Sequence, residues 1–227
     1  MKRSLKVAII FSCFFPIAAI AHGAVYVGAG GGVSIVPDSD ISYSSSVWGD
    51  DGKETLSFDT GYQINAVVGY GFAGLPIRIE GEILYQRNDI DSVSGQGYTE
   101  SLQDSNFTNK GVLVNVYYDF RNNTRFTPFV SLGMGYYDLE ITAEGEKLKS
   151  ETTEWSMSKA DGSGFAWQLS AGTAYRLTDN LSLDLKYRYY CTDGFTYTNQ
   201  DTGAIDVYKS KFDYAVHTIL LGIRYSF

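Results

Sequence analysis

The chain has 227 residues, of which 44% are hydrophobic and 15% aromatic, with 18 Tyr against 3 Trp and 24 Gly against 4 Pro. Its 26 acidic residues outnumber 18 basic ones, and the formal net charge of −8 excludes a phosphate-backbone partner such as nucleic acid. Two cysteines, one of them inside an N-terminal apolar run, exclude a disulfide framework.

That run comes first. Lys2, Arg3 and Lys6 precede an apolar stretch from Val7 to Ala21 that ends in Ala19-Ile20-Ala21. A basic start, a short apolar segment and a small-x-small ending predict a cleaved signal peptide over 1–21, with an alternative cut after Gly23. The stretch is too short to span a bilayer, and Pro16 interrupts it. Residues 22–227 are then one domain. Lys2, Arg3 and Lys6 leave with the peptide, so 15 bases remain against 26 acids and the mature net charge is −11. Cys191 becomes the only thiol, and an inert role is expected for it.

Eight segments then alternate with a period of two, the signature of strands with unlike faces. The first runs from Val25 to about Ile35. The second runs from about Phe58 to Phe72, with Tyr62, Ile64, Ala66 and Val68 against Gln63, Asn65, Val67 and Gly69. The third sets Ile77, Ile79, Ile83 and Tyr85 against Arg78, Glu80, Glu82, Leu84 and Gln86. The fourth sets Val112, Val114, Val116 and Tyr118 against Leu113, Asn115, Tyr117 and Asp119, and the fifth Val130, Leu132 and Met134 against Phe129, Ser131 and Gly133. The sixth sets Phe165, Trp167 and Leu169 against Ala166, Gln168 and Ser170. The seventh sets Leu181, Leu183, Leu185, Tyr187 and Tyr189 against Ser182, Asp184, Lys186, Arg188 and Tyr190. The eighth ends the chain: Ile219, Leu221, Ile223, Tyr225 and Phe227 against Leu220, Gly222, Arg224 and Ser226.

The connections alternate in length. Ala73–Pro76, Arg121–Arg125 and Thr178–Asn180 are tight turns, whereas Pro37–Ser57, Asn88–Asn109, Asp138–Ser163 and Cys191–Lys211 are long. Placing every long connection at one end suits a transmembrane barrel with short periplasmic turns and four long extracellular loops. Aromatics cluster at both ends of the strands, as two membrane interfaces select. The predicted fold is all-β: an eight-stranded antiparallel up-and-down transmembrane barrel.

Arg78-Ile79-Glu80-Gly81-Glu82, the stretch Phe126 to Tyr136, the stretch Tyr175 to Asp184 and the terminal Leu220 to Phe227 together resemble the small outer-membrane β-barrels of the opacity-protein and OmpA/OmpX-like surface antigen group. The resemblance covers the strands and says little about the loops. It implies a cell outer-membrane location in a Gram-negative-type bacterium. It also implies that the last strand, through Phe227, Tyr225 and Ile223, is read by the barrel-assembly machinery.

The remaining expectations concern chemistry. Arg78, Glu80 and Glu82 on the third strand face Asp184, Lys186 and Arg188 on the seventh, and a structural charge network across the lumen with Gln63, Asn65, Asn115 and Gln168 is expected. The loops hold 19 acids against 6 bases, which disfavours polyanionic ligands. Asp38, Asp40, Asp50 and Asp51 are candidate cation ligands, but no calcium-loop spacing occurs, and neither a metal nor a cofactor is expected. Only His22 and His217 are present, with no Ser–His–acid pattern, so no enzyme is expected. Tyr43, Trp48, Tyr98, Trp155, Tyr197 and Tyr208 are candidate loop contacts. The expected partners are outer-membrane lipid and lipopolysaccharide, the assembly machinery, and a host or extracellular ligand met through the loops. The expected function is a surface antigen, adhesin or membrane-structural protein; the alternative is a small porin-like channel or ligand-translocating barrel.

Overall fold

A computed structural model describes residues 23–45, 51–95, 98–101, 105–142, 160–193, 195–200, 207–212 and 215–227. The signal-peptide expectation for 1–21 lies outside them. The strands are β1 (Gly23–Ile35), β2 (Ser39–Ser45), β3 (Asp51–Phe58), β4 (Gly61–Phe72), β5 (Ile77–Gly95), β6 (Tyr98–Ser101) and β7 (Asn106–Asp119). They continue with β8 (Phe126–Thr142), β9 (Ala160–Arg176), β10 (Leu181–Thr192), β11 (Phe195–Gln200), β12 (Val207–Phe212) and β13 (Ala215–Ser226).

Eight of these close a ring in the order β1-β4-β5-β7-β8-β9-β10-β13, each antiparallel to both neighbours. The ring closes where β1 meets β13, in register from Tyr26↔Ser226 to Ile35↔His217. The amide of Phe227 adds a bond of 2.9 Å to the Val25 carbonyl. A closed ring leaves no unpaired edge in hydrocarbon, which is what a membrane-spanning sheet requires.

The period of two sorts the side chains. Val112, Ile83 and Leu221 are about 60% exposed on the outer wall, at 61, 60 and 59%, while Leu113, Glu82 and Leu220 beside them are buried in the lumen. A broad outward band of Val, Ile and Leu open to the surroundings suits acyl chains. Paired rings mark its two ends: Tyr70–Phe72, Tyr118–Phe120, Phe126–Tyr175 and Tyr225–Phe227 at the tight turns, Tyr62–Tyr85 and Trp167–Tyr189 at the other rim. The first tight turn reverses through Gly74, whose φ of 74° is the left-handed conformation that glycine adopts without strain.

Two features differ from the sequence reading. The second segment, read as one strand from Phe58 to Phe72, is two: β3 ends at Phe58 and β4 begins at Gly61. The long connections also carry strands of their own. β11, β12, β2 and β3 pair in that order and join the upper end of β5, which β6 pairs on its other side. This is the order of the barrel strands they adjoin in sequence, namely β10, β13, β1, β4 and β5. On that side the wall therefore rises above the rim as a loop sheet. The register shifts between Ser57 and Phe58, a bulge of the kind that re-aims a strand where a barrel changes course.

Candidate functional site

The lumen is filled in three layers. At the turn end Arg78 forms a two-pronged ion pair with Asp119, Nε to Oδ2 at 2.8 Å and Nη2 to Oδ1 at 2.9 Å. Its guanidinium lies 4.3 Å from the centroid of the Tyr117 ring, so a cation–π contact supports the pair. Arg224 reaches Asp184 on the adjoining strand at 3.3 Å.

The middle layer is built on β5. Glu82 accepts hydrogen bonds from Arg188 Nη2 at 2.5 Å, Asn65 at 2.7 Å, Asn115 at 2.8 Å and Gln168 at 3.1 Å. Arg188 comes from β10, on the opposite wall, so this pair spans the barrel. Both of its side chains are 0% exposed. Glu80 accepts from the hydroxyls of Tyr117 at 2.8 Å and Tyr26 at 3.1 Å, and Lys186 donates to Tyr117 at 3.3 Å. Gly133 makes room for this cluster: a Cβ there would fall on Asn115 Oδ1 and within 2.8 Å of Gln168 Cγ. Beside it a void of about 40 Å³, lined by Gly28, Gly30, Glu80 and Lys186, is large enough for water but not for a ligand.

The third layer, on the loop side, is apolar. Leu84, Ile90, Phe107, Leu113, Tyr137 and Leu139 are all buried and pack into one cluster inside the ring, with Phe58 against it. One polar strip runs past them: Ser34 donates to Asn88 at 2.9 Å, Gln86 to Asn88 at 2.9 Å, and Thr218 to Gln63 at 3.4 Å. Below the charged layers a recess of about 360 Å³ opens at the turn end and stops at Tyr26, Arg78, Asp119 and Arg224.

The structure thus brings Glu80, Glu82, Lys186 and Arg188 together with Asn65, Asn115 and Gln168. Three assignments are corrected. Arg78 pairs with Asp119 rather than across the lumen, because Arg78 stands opposite Tyr117 in the ladder and Asp119 is its diagonal neighbour. Asp184 pairs with Arg224 at the turn end instead of joining the central cluster. Gln63 lies at the level of Thr218 and binds there. Residues missed as partners are Asp119, Arg224, Tyr26 and Tyr117; all four have inward parity, which was the available signal.

Outside the lumen, Ile223 and Tyr225 lie outward on β13, and Phe227, just after it, is 72% exposed. His217 is on the outer wall, where its Nδ1 lies 2.6 Å from the Tyr187 hydroxyl. Cys191 belongs to β10, and its thiol reaches the Thr192 carbonyl at 3.6 Å. Of the loop aromatics, Tyr43, Tyr98, Tyr197 and Tyr208 stand in β2, β6, β11 and β12, while Trp48 and Trp155 lie outside the described residues. Asp40 pairs with Thr55 and Asp51 with Ser44, so these two acids stand well apart along one ladder; Asp50 lies outside the described residues.

Comparisons with known proteins agree with this architecture. A family model described as the outer membrane protein beta-barrel domain matches residues 7–227. Outer membrane protein PagN of Salmonella typhimurium is 28% identical over 181 residues, covering 70% of each chain. A major outer membrane protein from Thermus thermophilus superposes with a TM-score of 0.55 at 17% identity, over 91% of this chain and 100% of that one. Neisserial surface protein A gives a TM-score of 0.52 at 16% identity, again over 91% and 100%. The chain belongs to the outer membrane protein beta-barrel domain family, and its location is the outer membrane.

Proposed function

We propose that this member of the outer membrane protein beta-barrel domain family is a non-enzymatic surface protein of adhesin or antigen type, in which the barrel is a closed anchor and the loop sheet is the interaction surface. The observation that carries the reading is the contrast between the two ends of the wall. Inside the membrane the lumen is filled by a charged middle layer and an apolar upper layer. Beyond the rim, five strand segments prolong the sheet further than hairpin closure needs. In the membrane the strands have one face for lipid and one for the lumen, so neither is free to recognise a partner.

The test replaces each hairpin in turn, β2–β3, β5–β6 and β11–β12, by a short turn and measures binding of the cells to host cells and matrix proteins. Folding is checked in parallel by heat-modifiable gel mobility. The reading predicts that at least one replacement abolishes binding while the barrel still folds. Unchanged binding in all three folded variants refutes it. A steady large conductance from the purified barrel favours the channel instead.

A further inference from the structure

The turn end of the barrel differs in charge from the loop end. Its three tight turns carry Arg121 and Arg125 against Asp179, and Arg176 closes β9 beside them. The long connections at the other end hold 19 acids against 6 bases. Bacterial barrels keep their short turns on the periplasmic side. An anion approaching from the periplasm is therefore attracted to this end, while the crown on the far side repels it.

The recess of about 360 Å³ opens at this end, and Tyr26, Arg78, Asp119, Arg121, Arg224 and Ser226 are among its lining residues. Three guanidinium groups thus share it with one carboxylate. That carboxylate is spent: both oxygens of Asp119 are held by Arg78. Arg121 donates through Nη2 to the carbonyls of Phe72 and Leu75, which fix the side chain without neutralising it. Among the described residues no carboxylate pairs with Arg121. Arg224 spends Nη2 on Asp184 at 3.3 Å, and its Nε has no partner. A guanidinium has five N–H donors, so both arginines keep donors in reserve. The recess is a dead end. Arg224 also lines the small void above it, and the buried Glu82–Arg188 pair lies beyond. A solute that enters binds there or leaves by the same mouth.

We infer that this recess is a binding site for a carboxylate presented from the periplasm, with Arg121 at its mouth and Arg224 at its floor as the groups that hold it. The chemistry follows from the donors: a guanidinium matches a carboxylate with two parallel N–H bonds, and a charge-assisted pair of this kind is about twice as strong as a neutral one. Lipid headgroups are the wrong source. The recess lies inside the ring, and the outer wall at this level carries the ring pairs Tyr70–Phe72, Tyr118–Phe120 and Tyr225–Phe227. Phosphate is the weaker fit, because the Asp119 carboxylate in the wall repels a dianion more than a monoanion. The volume stands at the lower end of the about 300–1,000 Å³ of small-molecule sites, which suits a peptide terminus and not a folded domain. Free peptide and the peptide stems of the cell-wall polymer share this chemistry. The inference concerns the end of the barrel opposite the loop sheet and does not depend on the proposed surface role.

The experiment uses the full-length protein folded in lipid nanodiscs. Acetyl-alanyl-alanine with a free C-terminal carboxylate is titrated by saturation-transfer NMR, against the same peptide as its C-terminal amide. The acid is expected to bind at least about tenfold more tightly than the amide, and more weakly as salt rises. Arg121→Gln is expected to weaken the acid about tenfold, Arg121→Lys to retain most of the affinity, and Arg125→Gln, on the same turn but outside the recess, to change little. Heat-modifiable mobility verifies that each variant is folded. Co-sedimentation with insoluble cell-wall polymer, before and after amidation of its carboxylates, separates the sources. Sedimentation lost on amidation assigns the polymer, and peptide binding without sedimentation assigns a free peptide. The inference is overturned if neither peptide binds, if the amide binds as well as the acid, or if inorganic phosphate displaces the acid at equal concentration. Equal losses in Arg121→Gln and Arg125→Gln also overturn it, since they reduce the effect to the general charge of the face. None of these outcomes bears on the hairpin replacements, which leave the turn end unaltered.

Discussion

Removing the Glu82 carboxylate is the sharpest test of how the lumen is held together. The side chain is buried with its partner Arg188, which comes from the far wall and is itself 0% exposed. In the variant Glu82→Ala, Arg188 keeps its charge and loses the only carboxylate paired with it among the described residues. Breaking a buried ion pair from one side costs about 3–5 kcal/mol, because the remaining charge stays desolvated. Asn65, Asn115 and Gln168 also lose an acceptor, but Gln168 still reaches Asn115 at 2.5 Å, and losses within one network do not add. We expect a net destabilisation of about 4 kcal/mol, read as a lower urea midpoint for unfolding of the micelle-embedded barrel. The control is Asp89→Ala, which removes an exposed partner of Arg87 at 3.6 Å and is expected to stay within about ±0.5 kcal/mol. The double variant Glu82→Leu with Arg188→Met is expected to recover most of the loss, since an apolar pair of similar volume needs no desolvated charge. Equal midpoints for Glu82→Ala and Asp89→Ala refute the argument, as does a double variant no more stable than Glu82→Ala alone.

Other outcomes follow from the same geometry. The folded chain resists SDS at room temperature and shifts its gel mobility on boiling, because the β1–β13 ladder closes the ring; identical mobility before and after heating contradicts a closed barrel. Purified protein in planar bilayers shows no large, stable conductance, because the apolar cluster around Phe107 and Leu139 closes the loop side of the lumen; a persistent porin-sized current contradicts this. Gly133→Val crowds Asn115 and Gln168 and destabilises by about 1–3 kcal/mol in urea titration, whereas Met134→Val, on the outer wall, changes little; equal effects from the two contradict the packing.

How much of this was legible in the sequence follows from where two faces differ most. In the barrel strands one face meets lipid and the other fills the lumen, so apolar and polar residues alternate and each strand reveals its own orientation. Glu82 and Arg188 were legible as inward charges on opposed strands for that reason. Their partners were less so, because pairing depends on register between strands. Arg78 finds Asp119 only because the ladder sets Arg78 against Tyr117. The loop strands were not legible at all. Ser39-Asp40-Ile41-Ser42-Tyr43-Ser44-Ser45 lacks the lipid-facing contrast and is rich in residues that favour turns. It is extended because β3 and β12 flank it and pair with it on both edges. The apolar layer was missed for a related reason: Ile90, Phe107 and Leu139 fall in segments read as loops, and each becomes a core residue only once its strand is prolonged.

Charge is distributed on the same principle. Inside the ring the named ionic side chains balance: Arg78, Lys186, Arg188 and Arg224 face Glu80, Glu82, Asp119 and Asp184. A buried surplus of either sign would have to be neutralised or desolvated at high cost, so a closed lumen selects equal numbers. The surplus of acids therefore resides in the loops, with 19 acids against 6 bases. An acidic crown repels its own copies and anionic surfaces at long range, to a degree that salt reduces.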